Sequence, residues 1–224
     1  MRLRIDAWPP GSVCQLQRAD GKQSICGEVV AAEPWHPLHC QHGAAKMRPH
    51  RLLQKALSRR LIFSGAHVDE ERHIPELYDQ VWDRKQKKYV PRVALMDVVA
   101  SFPGMPAPFL IDVSIRSAAA ERVAAHAGIA GMAAQRGEKE KWDRYGPAVR
   151  PCVFDSLGRP GFHARTYFRD LVSTAASCGL GSPHAQQGLQ TALERAVVWG
   201  SADNMLRARG GQDVSAWTDH LRHS

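Results

Sequence analysis

The sequence predicts an α/β fold: a helix, three strands, a second helix and a fourth strand, with a cysteine- and histidine-rich segment before them and helices after. Three observations carry this. Leucines after Pro49 recur with helical period. Two short runs, 92–100 and 108–116, are apolar on both faces. Cys, His, Pro and Gly gather before residue 49 with little periodicity. Helices that alternate with doubly apolar strands indicate a sheet covered on both sides.

The 224 residues suit one large domain, or a domain plus a small module. Three zones are expected: 1–48, 49–156 and 157–224. A hydrophobic share of 44% supports a real core and argues against wholesale disorder. No apolar run approaches the roughly 18 residues of a membrane helix, so no membrane partner is expected. The first residues, Met1 to Ser12, lack the apolar stretch of a signal peptide, and five cysteines are an odd number, so an intracellular, reducing setting is expected. Thirty basic against 22 acidic residues leave a net charge of +8, which admits nucleic acid as a partner.

In the first zone, 13–17 and 23–26 should form a hairpin around Asp20-Gly21, because glycine accepts the positive φ of a tight turn. Cys14, Cys26, His36 and Cys40, spaced Cys-x11-Cys-x9-His-x3-Cys, are the residue types of a structural zinc site; the x11 step departs from the usual Cys-x2–4-Cys, and His39 and His42 are rival ligands. Thiolates and imidazole in a segment with no core of its own suit tetrahedral zinc.

A helix follows Pro49, with Leu52, Leu53, Ala56, Leu57, Leu61 and Ile62 on its inner stripe and Arg51, Lys55, Arg59 and Arg60 outside. Residues 67–78 read as a strand or strand pair. Residues 82–89 read as a turn with a basic tip of Arg84, Lys85, Lys87 and Lys88. The two apolar strands flank a turn at 103–106 that Pro and Gly enforce. An alanine-rich helix is expected over 117–145, loosened by Gly128, Gly131 and Gly137. A strand is expected at 149–155, a long helix at 183–209 and a last short helix at 213–221.

Each apolar strand contains one aspartate. Asp97 shares a strand face with Val93, Leu95 and Val99; Asp112 shares one with Leu110 and Ser114. Burying lone carboxylates costs several kcal/mol, and two on adjacent strands repel. A divalent ion removes both problems, since Mg²⁺ is held by one or two carboxylates plus water and phosphate. Glu138, Lys141 and Tyr145 follow at i, i+3, i+7 and share a helix face. A lysine beside the two aspartates could stabilise charge on a phosphate. Phosphate-loop, GxGxxG, GxSxG and HExxH motifs are absent.

Taken in order, these residues resemble a known arrangement. A Cys/His knuckle ends at His36-x3-Cys40-x2-Gly43, and His50 opens a leucine-rich helix. Then come Met96-Asp97-Val-Val-Ala100, Ile111-Asp112-Val-Ser-Ile-Arg116, and Gly137-Glu138-x-Glu140-Lys141-x3-Tyr145. Over roughly 14–156 the chain resembles the C-terminal region of early-branching non-LTR retrotransposon polyproteins, as in retroelement-derived reading frames of dinoflagellates. There a zinc motif precedes a restriction-enzyme-like endonuclease of the PD-(D/E)XK superfamily.

The resemblance implies a restriction-endonuclease-like αβββαβ core over 49–156. It also implies a zinc knuckle over 1–48, and a C-terminal helical extension over 157–224. It implies a Mg²⁺- or Mn²⁺-dependent DNA endonuclease, acting in the nucleus. Asp97 and Asp112 would hold the catalytic metal, with Lys141 and Glu138 beside them. Zinc would be structural. Some superfamily members carry the motif's lysine on the following helix, and Lys141 fits that variant. Arg84, Lys85, Lys87 and Lys88, with Arg51, Lys55 and Arg59, would contact the backbone of DNA or RNA. A nuclease-fold binding module without catalysis, or a decayed retroelement remnant, is the alternative. Convergence of Asp97, Asp112 and Lys141 is the feature that bears on the choice.

Overall fold

A computed structural model describes residues 8–16, 25–30, 35–38, 40, 44–83, 85–118, 129, 131–178 and 185–208. Helix α1 (Ala44–Phe63) leads into strand β1 (His67–Asp83), β2 (Lys88–Ser101) and β3 (Phe109–Arg116). Helix α2 (Met132–Tyr145), strand β4 (Val149–Asp155) and helices α3 (Phe162–Ser177) and α4 (Ala185–Ala208) follow. The result is an α/β fold with a four-stranded mixed sheet in the order β1-β2-β3-β4. β1, β2 and β3 are antiparallel in turn, and β4 runs parallel to β3.

Strand alternation sends neighbours such as Val98 and Val99, or Ile111 and Leu110, to opposite clusters. Val98, Ala100, Ile111, Val113, Cys152 and Phe154 turn to one face. There they meet Leu53, Leu57 and Leu61 of α1, Phe168 and Leu171 of α3, and Leu193 and Val197 of α4. Met96, Val99, Leu110 and Val149 group with Ile74, Ala94 and Tyr145, the last residue of α2. The helices after residue 157 thus share one apolar cluster with the sheet.

The structure departs from the sequence reading in several places. Helix α1 begins at Ala44, ahead of Pro49, which lies inside it. Pro49 packs on α4, where a Cβ on Gly200 would lie 2.7 Å from the Pro49 Cα; only glycine permits that approach. The buried face of α1 is also turned: His50, Gln54 and Ser58 join Leu53, Leu57 and Leu61 on it, while Ile62 is exposed. His50 and Gln54 face the sheet because Asp97 offers them partners. Residues 67–83 form one strand with a register shift between Ile74 and Tyr78. Of the expected helix over 117–145, the described helical part is Met132–Tyr145; Gly131, at φ 78°, precedes it as its N-cap. Helix α3 has an apolar face of Ala164, Tyr167, Phe168, Leu171 and Ala175, and the sequence reading did not delimit it. The turn at Asp20-Gly21, the rival ligands His39 and His42, Arg84 and the helix over 213–221 lie outside the described residues.

Candidate functional site

The sheet opens at the two aspartates. β2 pairs with β3 only over Val98–Ala100 against Phe109–Ile111. Beyond that point β2 stays with β1, and β3 continues with β4 as far as Arg116 and Asp155. Asp97 and Asp112 are the next residues of the parting strands, and one further step of the register would set them opposite each other. The freed amide of Val113 donates to the Asp97 carboxylate, Oδ2 lying 2.7 Å away. A side chain thus takes the place of a ladder partner at the mouth of the notch.

Helix α1 supports Asp97 from below. Gln54 Nε2 donates to the Asp97 carbonyl at 2.9 Å. His50, one turn earlier on the same face, places Nε2 3.4 Å from Asp97 Oδ2. Burial works against charging this imidazole. The hydrogen bond to Asp97 and the charges of Asp97 and Asp112 outweigh it, and the His50 pKa lies above its usual value. His50 Nδ1 is buried with no hydrogen-bond partner.

Helix α2 supplies Lys141. Its Nζ donates to both Asp112 oxygens, at 2.8 and 2.7 Å. Asp112 is 3% exposed. Burial pushes its carboxyl up to about 6, and the facing Asp97 adds to this against the pull of the Lys141 ammonium. Asp97, Asp112 and Lys141 therefore converge, and His50 joins them. The sequence reading used His50 only as the start of a helix. The signal was there in the four-residue spacing of His50, Gln54 and Ser58, three polar residues on a leucine face.

Glu138 has a different position. It is fully buried, and its Oε2 and Oε1 accept the amides of His163 at 3.1 Å and Ala164 at 2.7 Å. These are orphan N–H groups at the start of α3, and a carboxylate there satisfies them and complements the helix dipole. Gly161 makes room, since a Cβ there would lie 2.2 Å from a Glu138 oxygen. The Trp142 ring packs at a tilt of 46° against His163 beside it, with ring centroids 3.9 Å apart. The contacts of Glu138 are those of a helix cap.

The second constellation lies at the front of the chain. Val13 bridges Val29, and Cys14 and Leu16 exchange main-chain hydrogen bonds with 26–28, so the pairing runs past the 23–26 expected for the second strand. This brings Cys14 and Cys26 together. The short helical turn His36–Leu38 brings His36, and Cys40 follows it. The four ligand atoms lie within 4.8 Å of one another. Cys26 Sγ and His36 Nε2 are 3.4 Å apart. A tetrahedral zinc with Zn–S of about 2.3 Å and Zn–N of about 2.0–2.1 Å would hold them about 3.6 Å apart. The donor set and spacing fit such an ion. A hydrogen bond with Cys40 draws the Cys14 thiol below its usual pKa, toward the thiolate a metal needs. Trp8, Leu16 and Val30 pack around the cluster with Met205 and Ala208 of α4, and the amide of Gln15 donates to the Ala208 carbonyl.

The candidate nucleic-acid contacts fall in two places. Arg51, Lys55 and Arg59 are exposed along the outer side of α1, where Lys55 pairs with Glu70 of β1. Lys85, Lys87 and Lys88 are exposed at the tip of the β1–β2 hairpin. Among the described residues no helix is long and apolar enough to cross a membrane. No protein-family profile matches the chain, and no curated protein matches it.

Proposed function

We propose that the chain is a divalent-metal-dependent DNA endonuclease with a restriction-endonuclease-like core, derived from a retroelement and acting on nuclear DNA. The observation that carries this reading is the meeting of Asp97, Asp112 and Lys141 where β2 and β3 part. Two carboxylates side by side in a mostly buried notch call for a cation, and a lysine within reach suits a phosphate. The element order α1-β1-β2-β3-α2-β4 agrees with the αβββαβ core that the resemblance implies.

Asp97 and Asp112 would hold Mg²⁺ or Mn²⁺ between them. When bound, such an ion supplies an activated water and offsets charge on the leaving oxygen. Val113 N–H and Gln54 hold Asp97 in place from two sides, so its carboxylate is preset. Lys141 donates to both oxygens of Asp112, and turning to a scissile phosphate would free that carboxylate. Zinc at Cys14, Cys26, His36 and Cys40 would be structural. The exposed cations on α1 and at the hairpin tip would contact the phosphate backbone.

The rival is a binding module on the same fold. It is favoured by one observation: Lys141 occupies both Asp112 oxygens, a pair that is complete without metal. Nicking of supercoiled plasmid separates the two. The nuclease converts it to open circles in Mg²⁺ or Mn²⁺ and not in EDTA. Binding without any metal-dependent cleavage, of single or double strands, would leave the module.

A further inference from the structure

The β1–β2 hairpin outruns its sheet. β3 reaches β2 only at Val98–Ala100, yet β1 and β2 stay paired outward from Tyr78↔Val93 to Asp83↔Lys88. Tyr78, Pro91, Arg92 and every residue of 85–89 are exposed on this two-stranded ribbon. Its chemistry is lopsided. Asp83 is folded into the turn, accepting the amides of Lys85 and Gln86 at 2.7 and 3.1 Å and the Gln86 side chain at 3.0 Å. Lys85, Lys87, Lys88 and Arg92 face solvent, and Tyr78 and Tyr89 add exposed aromatic surface at 61% and 66%.

We infer that this ribbon is an arm that enters the major groove of B-form DNA about one helical turn from the phosphate held at the Asp97–Asp112 notch. The place of that phosphate rests on the nuclease reading; the groove contact rests on the ribbon. Two strands lie about 4.8 Å apart, and a B-form major groove about 12 Å wide admits such a ribbon. Cations along it meet phosphates on both groove walls. Nine residues separate Lys88 from Asp97, or about 30 Å of strand at about 3.3 Å per residue, close to the roughly 34 Å of one duplex turn. The arm thus sets a minimum duplex length. A-form RNA, whose major groove is deep and narrow, should not accept it.

The test uses the full chain and two variants. In one, residues 79–92 are replaced by Asn-Gly; in the other, Lys85→Glu, Lys87→Glu and Lys88→Glu are combined, which leaves the backbone intact should the shortened chain not fold. Binding is measured in EDTA to DNA duplexes of about 8, 12, 16 and 24 base pairs and to RNA duplexes of the same lengths. For the natural chain, affinity should step up about tenfold between the 8- and 12-base-pair duplexes, on DNA only. Both variants should lose the step. The same step in the variants, an equal step on RNA, or a change in self-association in place of DNA affinity would overturn the arm. A ribbon-dependent step with no nicking retires the nuclease reading and keeps the arm; nicking with no step does the reverse.

Discussion

Lys141 Nζ lies 2.8 and 2.7 Å from the two carboxylate oxygens of Asp112, across 29 residues of sequence. The pair is nearly closed off from water, with side chains 15% and 5% exposed. Asp97 stands beside it on the neighbouring strand, its carboxylate 3.4 Å from His50 Nε2 and accepting the Val113 amide. In the proposed nuclease, Mg²⁺ or Mn²⁺ would complete this notch.

Asp97→Asn and Asp112→Asn should each abolish plasmid nicking in Mg²⁺ and Mn²⁺, because an amide is a poor substitute for a charged ligand. Lys141→Ala should slow nicking about 10²–10³-fold, the scale for losing one group that stabilises developing charge. Rates at saturating DNA check both. Full activity in Asp112→Asn would rule out metal held at the notch.

Asp112 also makes the metal-free protein pH-dependent. Its folded pKa, about 6, lies above the unfolded value of 3.8. The folded state therefore holds the proton more tightly. This group's contribution to stability is full below about pH 3.8 and is lost as pH rises through about 6. The span corresponds to about 3 kcal/mol as an upper bound. Asp112→Asn should remove that dependence, so its melting temperature in EDTA should equal or exceed the natural chain's at pH 7.5 and converge with it near pH 4.5. Mn²⁺ affinity of the natural chain should run the other way and rise through pH 6, as the proton leaves the ligand.

Glu138→Ala should cost stability without removing chemistry. It leaves the amides of His163 and Ala164 unsatisfied in the interior, at about 1–3 kcal/mol. Gly161→Ala should act the same way, by driving its Cβ into the carboxylate. Denaturant midpoints should fall in both, while folded protein nicks plasmid at an undiminished rate. A loss of nicking at unchanged stability would return Glu138 to the catalytic group.

One zinc per chain is expected in purified protein, released by Cys40→Ser. The cluster shares its packing with Met205 and Ala208, so metal loss should loosen the end of α4. Hydrogen exchange should then quicken at 200–208 before it quickens in the sheet. Zinc-free protein with unchanged exchange there would mean the cysteines hold no structural ion.

DNA affinity should fall steeply with salt. If about four phosphates are neutralised, log K should fall with log salt at a slope near −3.6, and removing three lysines should flatten it by about 2.7. Lys85, Lys87 and Lys88 to Ala is the informative set. Lys55→Ala should change the slope less, because Lys55 is already paired with Glu70. A slope unmoved by the triple change would shift the contact surface elsewhere.

The elements themselves were largely legible from the sequence. Short apolar runs, leucine periodicity and Pro-Gly punctuation are local signals, and they gave the helix–strand order and the two aspartate strands. The Cys/His residue types marked the candidate ligands, and the structure gathers Cys14, Cys26, His36 and Cys40 among them, because a hairpin and a short helical turn are local too. What the sequence could not carry were relations between distant segments. Whether β2 and β3 stay paired past Val98 depends on what each strand meets on its far side, and that parting is what exposes Asp97 and Asp112 to one another. The turn of α1 that puts His50 and Gln54 on Asp97 depends on polar partners offered by the sheet. Helical spacing set Glu138 and Lys141 on one face, yet only the packing of α2 sent Lys141 to the strands and Glu138 to the start of α3. Periodicity names the face a residue shares; the neighbour it finds there is decided by burial, which forces each buried charge to the partner within reach.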